Sequence, residues 1–429
     1  MMGLPFGSFR PFRFCQDHPL YVGAALLGYL AVVGAVRQRR VNAIHRKFQA
    51  KYEAGLLTAR DAQEIIHGFG FYDMPSLFLY SLSFALFKTY GIPSISKLLA
   101  ATKELKSDEN VSKRYADTEI LIGTWMTCPL SGMLGSPEKG GQNSEEKDPR
   151  GAIALARVNW LHSQYSIKND DYLYTLSLFI LEPIKWIQKY GWRSLSPLEQ
   201  QANFLFWVEI GKRMDIKNIP ETIEDLRAWS VNYEDAHMLP AQTNHDVAHF
   251  TTEEMLYVYP EALGIKNTLR RVVACLLEDP VREAMMLPKQ PGYLRPIVDF
   301  SIHSMMFFVR FFCLPRRKLE AVVRLDEASS SGRMFPTRFQ PRPWYKPRRR
   351  GVLALFDRIT VMTGMYRDPP GPQYRCEGYR LEELGPLKYE EDGHDKVIEM
   401  AEQIHGCPIK APYALQSPSK ETQTTALDN

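Results

Sequence analysis

RGAIALARVNWLHSQYSIKNDDYLYTLSLFILEPIKWIQKYGWR, residues 150–193, is the stretch whose reading decides the fold class. Ile153, Leu155, Val158, Leu161 and Tyr165 recur at the spacing of one buried helix face. Asn169, Asp170 and Asp171 form a cap region before a second, longer helix, Tyr172 to Tyr190. His162 lies on the first of these helices. A histidine so placed can serve as an axial ligand to iron. More often it is an ordinary buried imidazole with a hydrogen-bond partner, and the periodicity alone does not separate the two.

Toward the N-terminus the helical reading continues. Asn110 to Thr127 forms a helix on which Arg114 and Thr118, four apart, share one face. Arg114 has Asp117 and Glu119 nearby, so a plain ion pair is the simple expectation for it. Residues 94–106 form a short helix, and Asp73 to Tyr90 a strongly apolar one with Pro75 in its first turn. The charge-free run of that helix, Met74 to Phe87, is too short to span a bilayer and argues for a core or membrane-surface helix. Residues 41–70 read as a polar helix that leads into a turn at Gly68 and Gly70.

After a short head, residues 1–18, Pro19 to Val36 runs without a charge. At ~1.5 Å per residue this span covers roughly 27 Å, enough for a thin bilayer such as that of the endoplasmic reticulum. Arg37, Arg39, Arg40, His45, Arg46 and Lys47 follow, where a secretory leader would carry a small-residue cleavage site. The segment therefore reads as an uncleaved single-pass anchor, and the positive-inside rule puts the rest of the chain in the cytosol.

Toward the C-terminus, residues 135–149 are a loop by composition, and Ser196-Pro-Leu-Glu199 is a capping box that opens the helix ending near Met214. Ile219-Pro-Glu-Thr222 opens another, through about Ala236. Residues 237–250 hold three histidines, and helical segments follow at 251–259, 266–278 and 280–286. Ile297 to Leu314 is amphipathic, rich in Phe and Met, and followed by Arg316, Arg317 and Lys318; it suits either a membrane-interface helix or a core helix with a basic end. Residues 329–350 are Pro- and Arg-rich and read as a solvated linker, with contact to anionic lipid as the sharper alternative. They separate a helical domain, 41–328, from a C-terminal extension, 351–414, and a disordered tail, 415–429. Strand-like alternation is nearly absent, so the chain is expected to be all-α.

Composition excludes several classes. Apolar residues make up 45% and charged residues 24% of 429, and the net charge of +4 is not that of a polycation built for nucleic acid. The six cysteines are scattered and read as reduced thiols facing the cytosol. There is no nucleotide-binding glycine loop, no GxSxG and no HExxH.

The ordered segments YDMPSLFLYSLSFALFKTYGIPSISKLL, KRYADTEILI, ARVNWLH and NDDYLYTLSLFILEPIKWI resemble the fungal mpaB-type membrane-bound oxygenases over roughly residues 70–315. More distantly they are similar to the bacterial latex clearing proteins, which are rubber oxygenases. The resemblance implies a haem b in a globin-like helical core. It also implies cleavage of a carbon–carbon double bond of an apolar isoprenoid chain by dioxygen, next to membrane lipid. It makes His162, in an Arg-x-x-x-x-His context with Arg157, the proximal ligand of the haem iron, and Arg114 and Thr118 the distal pair. The propionates would need a cation, which Arg157 or Arg114 could offer.

Two features depart from the bacterial pattern. Asp117 stands where the rubber oxygenases have a lysine before the distal threonine, and the 135–149 loop lengthens the gap between the two motifs. His245 and His249, four apart, could be structural, bind a separate metal, or replace His162 at the haem. Two other readings of the whole chain stay open: a non-catalytic helical membrane protein that has lost the cofactor, and a haem enzyme doing hydroxylation or peroxidation.

Overall fold

The computed structural model describes residues 19–105, 108–129, 148–324, 332–409 and 413. The expected head, nearly all of the 135–149 loop and the expected disordered tail lie outside the described residues. The chain is all-α: the described residues contain isolated bridges, Val323 with Pro336 and Met334 with Tyr379, but no strand.

The helices of the N-terminal half are α1 (Pro19–Arg37), α2 (Arg39–Glu53), α3 (Ala59–Ile66), α4 (Pro75–Thr89), α5 (Pro93–Thr102), α6 (Asp108–Thr127) and α7 (Arg150–Ser163). They continue with α8 (Asn169–Tyr190), α9 (Pro197–Arg213), α10 (Ile223–His237), α11 (Gln242–Met255), α12 (Ile265–Leu276) and α13 (Asp279–Ala284). The last three are α14 (Leu294–Phe312), α15 (Val352–Met362) and α16 (His394–His405).

Local chemistry sets several of these boundaries. The capping box of Ser196 and Glu199 forms as the sequence suggests, and Thr58 with Asp61 makes a second one at α3. Gly68 and Gly70 do not make a turn. They lie in the π-helical stretch His67–Asp73, where an added Cβ would lie 2.1 Å from Ile44 and 2.8 Å from Phe78. Their lack of a side chain lets α2 and α4 approach.

α4 packs along α8, α3 against α9, and α7 between α6 and α16. α4 is therefore a core helix. α1 is long and apolar enough to cross a membrane and is almost uncovered by the rest of the protein. α14 is also mostly exposed, with only Val298 and Met306 buried along it. It is tied to α1 by Tyr29 Oη, which donates to the Phe312 carbonyl at 2.7 Å, and by the Arg37 guanidinium on the Val309, Arg310 and Cys313 carbonyls.

Residues 332–347 are not a solvated linker, although Arg348, Arg349 and Arg350 after them are exposed. Trp344 and Tyr345 are 1% and 3% exposed. The indole Nε1 of Trp344 donates to Ser112 Oγ at 3.0 Å, and the Tyr345 hydroxyl donates to Asp117 Oδ1 at 2.5 Å. The Pro-rich backbone holds these rings against α6, so 332–409 folds onto the helical domain and no boundary falls between them.

The core carries a buried cation on α4. Lys88 Nζ lies 2.8 Å from Glu234, 3.0 Å from Glu278 and 3.5 Å from Glu182, joining α4 to α8, α10 and the start of α13. Burial lowers the lysine's proton affinity, but the three carboxylates outweigh it and raise its pKa above the ordinary value. Lys88→Met should leave these acids facing each other without a counter-ion and destabilise the fold by about 3–5 kcal/mol. Denaturant or thermal unfolding of the variant measures this.

Candidate active site

α4, α5, α6, α7 and α8 enclose a cavity of about 480 Å³, within the ~300–1,000 Å³ usual for small-molecule sites. Its wall is chiefly apolar, with Leu79, Leu86, Leu99, Leu121, Val158 and Phe179 among its members. Arg114 and Thr118, one turn apart on α6, and His162 on α7 all line it. Three residues that the sequence places on two helices thus share one apolar space.

His162 lies near the C-terminal end of α7, its ring 5.4 Å from that of Tyr172 on α8. The Nδ1 atom is sealed from solvent and has no hydrogen-bond partner among the described residues. The residue is half-buried and lines both this cavity and a more open cleft with Asn159, Ser163 and Arg213. Burial, with the Arg114 charge as a second cause, pulls its pKa down to about 4. The imidazole is therefore neutral at physiological pH and can offer a nitrogen lone pair.

Arg114 is not taken up by its acidic neighbours. Asp117 is buried and bound by Lys113 Nζ at 2.7 Å, the Tyr345 hydroxyl at 2.5 Å and the Gly385 backbone N–H at 2.9 Å. Glu119 is paired with Arg338 and accepts from Gln340 Nε2 at 2.6 Å. Arg114 has no hydrogen bond or ion pair among the described residues. A guanidinium on a cavity wall with no carboxylate hydrogen-bonded to it is a donor set for an incoming anion or polarised oxygen.

Asp117, the departure from the bacterial pattern, is accounted for locally. Lys113, one turn earlier on the same helix, brings its ammonium to the carboxylate and also donates to the Gly385 carbonyl at 2.7 Å. Lys113, Asp117 and Gly385 all line the cavity. The C-terminal segment is thus part of the cavity wall and fixes the turn of α6 that carries Arg114 and Thr118.

Arg157 is placed elsewhere. It is fully buried, and its guanidinium donates to the carbonyls of Leu384 at 2.7 Å, Asp392 at 2.8 Å and Tyr389 at 2.6 Å. It does not line the cavity. The expectation that it holds a propionate gives way to a structural role, because those three carbonyls engage all of its nitrogens.

His245 and His249 stack on α11 with ring centroids 6.1 Å apart and stand outside the cavity wall. Among the described residues no group of three His, Cys, Asp or Glu is arranged to hold a metal. His303 bridges the Asp299 and Lys189 carbonyls at 2.7 and 2.9 Å, a structural position.

Glu104 escaped the sequence reading. It lines the cavity, and burial raises its pKa against the opposing charge of Arg114. Nothing in the segment KELK marks one acid as inward-facing. Gly385, Pro386 and Leu387 were likewise unmarked, lying far outside the motifs.

The donor set fits a haem. A neutral imidazole lines a largely apolar space, and a guanidinium that makes no hydrogen bond or ion pair among the described residues lies on the same wall.

No family model matches the chain. Curated relatives do. The ER-bound oxygenase mpaB' of Penicillium brevicompactum is 29% identical over 424 residues, covering 92% of this chain and 94% of its own length. The ER-bound oxygenase mpaB of Penicillium roqueforti (strain FM164) is 30% identical over 282 residues, 61% of this chain and 88% of its own length. The ER-bound oxygenase mpaB of Penicillium brevicompactum is 32% identical over 264 residues, 57% of this chain and 63% of its own length.

Proposed function

Because the chain belongs to the family of the ER-bound oxygenases mpaB, we propose that it is a haem-dependent oxygenase of the endoplasmic reticulum membrane. Its reaction would be the cleavage, with dioxygen, of a carbon–carbon double bond in a prenyl or similar terpenoid chain. The observation that carries this reading is the convergence of His162, Arg114 and Thr118 on one apolar cavity. In such a cleavage both oxygen atoms of one dioxygen end in the two carbonyl products, so no external reductant is required.

His162 would hold the cofactor through its neutral imidazole, and a bound haem b would supply the activation of dioxygen. Arg114 presents donors to oxygen that gains negative character, and the Thr118 hydroxyl can donate or accept beside it. Glu104, whose proton affinity is raised, can hold a proton on the same wall. The apolar side chains bind the hydrocarbon and exclude water. α1 would cross the membrane once, and the basic residues from Arg37 to Lys47 favour the cytosol for the folded domain. An isoprenoid substrate dissolved in the bilayer would then be close to the site.

The test is purification of the full chain in detergent, an absorption spectrum, and dioxygen uptake with a prenylated substrate. A Soret band together with carbonyl products supports the reading. A chain that folds without a Soret band points instead to a protein that has lost the cofactor. Arg114→Ala should keep the Soret band but lower kcat by about 100-fold, as for loss of one preorganised donor. Parallel spectra and turnover measurements check this.

A further inference from the structure

A second apolar surface remains unexplained. α15 exposes Val352, Leu355, Phe356, Ile359 and Met362, spaced along one helix face, with Leu353 at its edge. The opposite side carries Asp357, which is buried and takes the Lys346 ammonium at 2.8 Å. This ion pair fixes which side of the helix faces the protein. Arg348, Arg349 and Arg350 stand exposed immediately before the helix, and Arg358 stands exposed within it. Arg349, Arg350 and Arg358 have no hydrogen bond or ion pair among the described residues.

We propose that α15 is a second membrane contact, lying in the interface of a bilayer that contains anionic phospholipid. Its occupant is the lipid surface and not a protein, for two reasons. An apolar face flanked by unpaired arginines is complementary to acyl chains beneath anionic headgroups. The surface is also continuous with the anchor. α14, tied to α1, runs into Glu320 and Val322, and Thr337 donates its backbone N–H to the Val322 carbonyl at 2.8 Å. Glu320, Val322 and Arg338 line the cavity, and the chain leaves that bridge toward Lys346 and α15. The cavity wall is therefore suspended between α14 and α15, and two lipid contacts would hold it in a fixed attitude to the bilayer. This does not depend on the identity of the cofactor.

The test uses the full chain in vesicles that carry a phospholipid with a photoreactive group on its acyl chain. Trypsin releases α15 as residues 351–358 and 359–367. In vesicles of phosphatidylcholine mixed with phosphatidylinositol, both peptides should carry lipid adducts, as α1 and α14 do. The yield on these peptides should fall several-fold in phosphatidylcholine alone, and the yield on 359–367 also in a variant with Arg348→Glu, Arg349→Glu and Arg350→Glu, in which the first peptide becomes 339–358 because its tryptic site at Arg350 is gone. Adducts on α1 should be unchanged in both, which shows that the chain is still inserted. Adducts confined to α1 and α14 would overturn the proposal. So would a parallel reaction with a bifunctional photo-cross-linker that joined two chains through 351–367, which would make the face a contact between two copies.

Discussion

Full-length protein carrying His162→Ala should purify without a Soret band and without oxygenase turnover, while keeping the helical content of the parent. Among the described residues of the cavity wall the indole nitrogens of Trp125 and Trp207 are also buried without a partner, but each carries a hydrogen and no free lone pair, so neither replaces the imidazole as a ligand. The fold should survive because the ring makes no hydrogen bond through Nδ1 that its removal would break. Unchanged haem content in the variant would remove His162 from its role and with it the proposed site.

Acidification provides an independent readout on cofactor-free protein. The folded value of about 4 lies below the ordinary 6.5, so between these values the unfolded chain binds more protons. Stability associated with neutral His162 is complete above about pH 6.5 and is lost progressively as pH falls through 4. Denaturation midpoints at pH 7 and pH 5 should therefore differ less in His162→Ala than in the parent.

Arg157→Ala should do the reverse: lose the fold first and the cofactor only as a consequence. Its guanidinium is fully buried, its pKa is pulled down by desolvation to about 10, and it is still cationic at neutral pH. Truncation leaves the Leu384, Asp392 and Tyr389 carbonyls without donors and opens a cavity beneath Trp160, on whose ring the guanidinium stacks at 4.8 Å. A loss of about 3–5 kcal/mol follows from unsatisfied buried groups of this kind. Arg157→Lys should not restore it, because one ammonium cannot reproduce a planar fork toward three carbonyls. Thermal melts and limited proteolysis should show the segment after residue 380 released first. A melt like that of the parent would contradict the clamp.

The contrast between these two residues shows what the sequence could reveal. Helix periodicity made α4, α6, α7 and α8 legible, because apolar spacing is a local property. The shared face of Arg114 and Thr118 was legible for the same reason. That Arg114 is bound by neither Asp117 nor Glu119 was not, because those acids are captured by Tyr345, Gly385 and Arg338 from more than 200 residues away. The same distance hid the role of Arg157, whose five-residue spacing to His162 looked like a site motif and instead anchors a loop. Residues 332–350 read as solvated for a related reason: their composition is polar, and only the tertiary fold buries Trp344 and Tyr345. α11 was shifted toward its C-terminal part because QTNHDVAHF has little apolar period, and α15 was not resolved within the extension at all.

The contact of Gly385 with Lys113 and Asp117 has a consequence for the order of events during synthesis. α1 leaves the ribosome early, whereas the last part of the cavity wall is made some 350 residues later. At typical elongation rates that interval is roughly 20–70 s. The nascent chain is thus already tethered to its membrane while the cavity is still open on one side. Any ligand that the finished wall encloses has that window in which to enter, and the closing segment arrives last.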